Sequence, residues 1–155
     1  MSHAEDPQRR VGPHGDELTA ALALARDQLE MDVAFLGELA DGREVIRAAA
    51  GDADSFGLVE GTSVEMSATY CQHVLEGRLD GAVPDAAREP LTAGLEITRR
   101  AGIGSYVGVP LRTRDARLYM LCCLAHESRP ALGHADLRFM RGVGETVLAA
   151  LGREG

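Results

Sequence analysis

The segment LYMLCCLA, residues 118–125, is apolar on both of its faces. Alternate side chains of a strand point to opposite sides. Leu118, Met120, Cys122 and Leu124 therefore look one way, and Tyr119, Leu121, Cys123 and Ala125 the other. A strand with one wet face alternates apolar and polar residues, so this one has to be covered on both. The preceding run, GIGSYVGVPLR, reads as its hairpin partner across a short polar turn. The chain must build a sheet with a layer on each face, and one of those layers can enclose a cavity.

The remaining segments are assigned by period and by their end signals. Residues 1–15 hold two Pro, two Gly and no periodicity, and read as a mobile tail. Asp16 reads as the N-cap of a helix to about Glu30, with Leu18, Ala21, Leu22, Ala25 and Leu29 on one stripe. Residues 31–39 and 43–50 form a hairpin about Asp41-Gly42, the strongest short-range turn signal in the chain. A loop over 51–61 leads to a short strand over 62–66. Ser67 is placed to cap a helix through Leu75, ended by Gly77. Residues 82–84 form a brief strand, and 91–101 are partly helical. From near His134 a long helix carries Leu137, Met140, Val143, Val147 and Leu151 on one face.

This order predicts an α+β fold, with an antiparallel sheet of five or six strands in one domain over residues 16–153. The terminal helices pack on one face. The irregular middle covers the other, where small-molecule pockets tend to form. Pro110 is discordant, because a strand proline implies an edge or a bulge.

Sixteen basic residues, all Arg, face 24 acidic ones, for a net charge of −8. The lack of Lys fits a GC-rich genome. With the basic residues never clustered beyond pairs, nucleic acid is not an expected partner. No apolar run approaches the ~20 residues of a membrane span, and the N-terminus lacks a signal-peptide core. Three cysteines do not make a disulfide framework. The expected compartment is the cytoplasm, with no membrane partner.

The stretches TYCQHVLEGRLDGAVPDAAREP, ITRRAGIGSYVGVPLR and RLYMLCCLAHESRPALGHADLRFM resemble the GAF domain family, a small-molecule sensor fold. The GVPL strand, the two-faced LCCL strand and the DLRFM helix carry the likeness, which extends from Asp16 to Leu151. It is most similar to bacterial GAF domains found alone or ahead of signalling modules. Relatives place Gly in the turn and in the following strand, where this chain has Ala116 and Met120. A longer turn is expected at Ala116, since Ala is poor at positive φ. Met120 would narrow any cavity it borders.

The expected pocket lies between the sheet and residues 66–107. Its candidate ligand-binding residues are Tyr70, Cys71, His73, Asp85, Tyr106 and Met120. Tyr70 and Tyr106 each offer an apolar body with a polar tip. His73 has the alternative of a half-buried helix histidine bonded to a carbonyl, and Asp85 that of holding its own loop. Cys122 and Cys123 point to opposite faces, which argues against a shared metal, and their apolar neighbours argue against a reactive thiolate. In Cys71-Gln72-His73 the two side chains diverge on a helix, unlike the Cys-His of tetrapyrrole-binding GAF domains.

The resemblance implies a non-catalytic sensor that signals through a separate output protein, and a homodimer through the terminal helices. Its ligand is unidentified, and no metal or catalytic residue is expected. The alternatives are an interaction or dimerisation module with a vestigial pocket, and a GAF-fold free methionine sulfoxide reductase.

Overall fold

The computed structural model describes residues 12–154. Residues 1–11 of the expected tail lie outside this range. Helix α1 spans Gly12–Leu29, so it starts before Asp16, which is helical and not its cap. Strand β1, Val33–Ala40, turns through Asp41 (φ 57°) and Gly42 (φ 75°) into β2, Arg43–Gly51. Two consecutive left-handed residues are what a two-residue primed turn requires, and Asp-Gly supplies them at low strain.

A 3-10 turn at Asp54–Phe56 interrupts the following loop, and β3 is Ser63–Glu65. The helix expected from Ser67 starts later. Met66–Ala68 form a 3-10 turn, Thr69 is extended, and α2 spans only Tyr70–Leu75. Thr69 Oγ1 donates to the Met66 carbonyl at 2.8 Å, closing that turn and separating it from α2. Strand β4 is Ala82–Val83. The partly helical stretch splits into α3, Pro90–Ala93, and α4, Glu96–Arg100, at the extended Leu95. Strands β5, Ser105–Arg112, and β6, Leu118–Ala125, precede α5, His134–Glu154.

The six strands form one antiparallel sheet in the order β3-β2-β1-β6-β5-β4. The central β6 is covered on both sides, as its sequence requires. Tyr119, Leu121, Cys123 and Ala125 join the core beneath α1 and α5, with Leu22, Met140 and Val147. Met120, Cys122 and Leu124 join a second core beneath the middle segment.

Pro110 fits because β4 is short. Gly108 N–H donates to the Gly81 carbonyl at 2.8 Å on the β4 side. Two residues on, Pro110 faces the same direction, past the end of β4, where it is exposed and no donor is needed. The β5–β6 connection is a longer loop over residues 113–117, closed by Thr113 N–H to the Arg117 carbonyl at 2.9 Å. Even so, Ala116 takes φ 68°, a left-handed conformation unfavourable for Ala.

The apolar stripe of α5 is committed to the sheet. Leu137, Met140, Val143 and Val147 are buried in the helix-side core. A Cβ at Gly144 would overlap the side chain of Leu111, so this glycine admits a strand residue and not a second helix.

Candidate ligand-binding site

Between the sheet and its irregular cover lies a cavity of about 420 Å³, within the range of small-molecule sites. Its floor comes from Phe35 on β1, Glu44 and Ile46 on β2, Tyr106 on β5 and Leu124 on β6. Its walls come from Tyr70 and Cys71 at the start of α2, and from Ile97, Ala101 and Ile103 around α4. Residues 54–58 complete the cover. They lie outside the 66–107 interval expected to bound the pocket.

A β-bulge decides what β2 contributes. Leu36 pairs with Ala48 but Gly37 pairs with Ile46, leaving Arg47 as the extra residue. The bulge inverts the parity of β2. Ala48 faces the helices with Leu36, while Ile46 faces the cavity. Glu44, two residues before Ile46, thereby joins the cavity wall. Without the bulge, period-2 reading puts it on the helix side with Ala48. Gly37 makes the space, since a Cβ there would overlap the Glu44 carboxylate.

Glu44 is 2% exposed. It accepts a hydrogen bond from the Cys71 thiol, with Sγ 3.4 Å from Oε2. Burial outweighs that bond and pushes the carboxyl up to about 7. Cys71 Sγ also lies 3.8 Å from Cys122 Sγ and 3.9 Å from the Tyr106 hydroxyl, which is 3.5 Å from Cys122 Sγ. The hydrogen bond to Cys122, then burial, hold the Cys71 thiol well above its usual range. Burial, then the neighbouring cysteines, do the same to the Tyr106 phenol. A Cβ at Gly108 would overlap this phenol, so glycine lets the Tyr106 ring lie across its own strand. Tyr70 packs edge-on against Tyr106, centroids 5.1 Å apart, and bonds through its hydroxyl to Thr98 Oγ1. Burial raises the Tyr70 phenol, partly offset by the Thr98 and Thr92 hydroxyls.

One clamp holds the cover down. The His126 ring stacks on Phe56 at 3.9 Å between centroids and 5° between planes. Its Nδ1 lies 2.7 Å from the Gly102 carbonyl, and its Nε2 2.7 Å from Ser55 Oγ. A single side chain at the end of β6 thus ties together the loop after β2 and the turn after α4.

Of the six residues expected at the pocket, Tyr70, Cys71 and Tyr106 line it and three do not. His73 sits one turn further along α2. Arg78 Nη2 donates to its Nδ1 at 3.0 Å, and its Nε2 is buried without a hydrogen-bond partner. Asp85 holds its own loop, accepting from Ala87 N–H at 3.2 Å and facing Arg88 Nε at 3.7 Å. Met120 is fully buried in the same core but off the cavity wall, so it does not narrow the cavity. Sequence reasoning missed Glu44, Phe56, Ile97, Ile103 and His126. The bulge at Arg47 hid Glu44. The others lie in loops and short helices without a readable period. Among the described residues, no group of three or more His, Cys, Asp or Glu side chains is placed to hold a metal ion.

The fold is an α+β domain with an antiparallel six-stranded sheet and a cavity between that sheet and its cover. The sequence pattern of the GAF domain family matches residues 15–151, and the chain belongs to that family. Among solved structures it is similar to the cyanobacteriochrome receptor PixJ, with a TM-score of 0.72 and 17% identity over 94% of this chain and 99% of that one. The phycoerythrobilin-bound GAF domain of a cyanobacterial phytochrome matches with a TM-score of 0.70 and 16% identity, over 94% and 89%. The GAF domain of an Acinetobacter phosphoenolpyruvate-protein phosphotransferase gives 0.66 and 18%, over 99% and 95%. No curated protein matches the sequence. No helix among the described residues is long and apolar enough to cross a membrane.

Proposed function

We propose that this chain is a non-catalytic small-molecule sensor acting in signal transduction in the bacterial cytoplasm. The observation that carries the reading is the open cavity of about 420 Å³ between sheet and cover, lined by aromatic and aliphatic side chains with a few polar groups. A ligand there touches β1, β2, β5 and β6 from one side, while α1 and α5 pack on the other. Occupancy can therefore bias the terminal helices and, through them, a signalling partner.

Two features favour this reading over its alternatives. Met120 lies off the cavity wall, which argues against a vestigial pocket. The cavity thiol, Cys71, is held well above its usual range, which argues against the thiolate chemistry a sulfoxide reductase needs. A structurally similar GAF domain is phycoerythrobilin-bound. A cavity of about 420 Å³ suits a ligand of one or two rings better.

Native mass spectrometry of freshly purified protein is the direct test, because it reports bound mass and oligomeric state together. The expected spectrum carries a non-covalent adduct that is lost on collisional activation. An adduct-free spectrum, with no heat of binding from a broad metabolite panel, would sink the sensor reading.

A further inference from the structure

The polar end of the cavity is unusual for a site with no charged partner beside it. Glu44 is 2% exposed, and the hydrogen bond it accepts comes from a thiol. A thiol is a weak donor, whereas an ionised carboxylate offers about four lone-pair sites. Aromatic rings are concentrated around it. Of the chain's three Phe and three Tyr, two of each line this cavity. The cation on the lining is Arg100, which is exposed and sits 4.0 Å from Glu96.

Resting on the reading that the cavity takes a ligand, we propose that the ligand is a small organic amine bound as its cation. Its ammonium group meets Glu44, and its apolar body lies among Phe35, Phe56, Tyr70 and Ile103. An ammonium supplies the strong donors Glu44 lacks, in a charge-assisted bond, and aromatic faces attract a cation further. A carboxylate or phosphate ligand would instead meet a buried acid. A purely apolar ligand would seal Glu44 away from water with the thiol as its donor, which is unfavourable.

The arrangement predicts proton-linked binding. Burial raises the Glu44 carboxyl to about 7, so below neutrality an arriving ammonium must displace its proton. Affinity then falls about tenfold from pH 8 to pH 6. The titratable groups facing Glu44 are Cys71 from α2, Tyr106 from β5 and Cys122 from β6. Cys71 and Tyr106 are held well above their usual ranges and keep their protons across this window. The side chains that β1 and β3 turn to this side, Phe35, Leu39 and Val64 among them, do not titrate. Asp54 and Arg100 stand exposed on the lining.

Three probes of matched shape test this on the full chain by isothermal titration and amide chemical shifts: 2-phenylethylamine, 2-phenylethanol and 3-phenylpropionate. The amine is expected to bind most tightly and to shift residues lining the cavity. Its affinity should be about tenfold higher at pH 8 than at pH 6, with a buffer-dependent heat at pH 6 that reports proton release. Glu44→Gln should weaken the amine about tenfold or more and leave the alcohol unchanged. If the alcohol or the carboxylate binds in the cavity as tightly as the amine, the amine proposal falls and the sensor reading stands. If none of the three binds at millimolar concentration, the amine proposal falls. Should the variant not fold, wild-type titrations decide, because an amine affinity that is independent of pH overturns it.

Discussion

Burying Glu44 makes the stability of this domain depend on pH in the sense opposite to that of a salt-bridged carboxylate. The folded state holds the carboxyl near 7 against 4.5 for the free side chain, so folding favours the protonated form. The associated stability is fully present below about 4.5 and is lost as the pH rises through about 7. Two and a half pK units correspond to about 3 kcal/mol. Glu44→Gln removes the titration. Urea melts should therefore give variant and wild type similar stabilities at pH 4.5, and a variant more stable by up to about 3 kcal/mol at pH 8. An unchanged difference between the two pH values would show that Glu44 ionises freely in the fold. Nothing in REVIRAAA marks Glu44 as buried, because the sequence carries no sign of the bulge that turns it inward. Tyr70 and Tyr106 were legible, since large amphipathic rings beside apolar runs rarely face water.

At the level of elements, the sheet is built of long paired strands and its cover is assembled from short pieces. The 3-10 turn, α2, α3 and α4 hold between three and six residues each, too short to be stable alone. They depend on tertiary ties, chief among them the His126 clamp on Phe56, Ser55 and Gly102. His126→Ala should lower stability by about 1–2 kcal/mol, from the lost stack and hydrogen bonds. Hydrogen exchange should quicken at the amides of residues 55–58 while those of β6 stay protected. Equal protection of that loop in variant and wild type would mean something else holds the cover down. The strands were readable because each buries whole faces at period 2. The cover was not, because its boundaries are set by turns such as that of Thr69 onto the Met66 carbonyl.

For the whole molecule, the helix layer α1 and α5 is the face opposite the cavity. The apolar stripe of α5 is occupied by the sheet. Pairing through the terminal helices must then use their outward surfaces. There, among the described residues, Leu24 on α1 stands 48% exposed to solvent. If the domain pairs as a homodimer through these helices, sedimentation of the wild type should report a dimer, and Leu24→Arg should shift it to monomer with the melting curve unchanged. A wild-type monomer across the micromolar range would rule that arrangement out.

The sequence by itself determined the layers. A strand apolar on both faces demands two covers, amphipathic helices at both ends supply one, and the Asp-Gly and Thr113–Arg117 turns set antiparallel neighbours. These are local periodicities, and burial reads them directly. Only the tertiary structure decided what the cavity contains. The bulge at Arg47 inverts one strand, glycines at 37 and 108 open room for Glu44 and Tyr106, and Cys71 meets Cys122 from 51 residues away. Such contacts are made by chain segments with no shared period, so no spacing in the sequence records them.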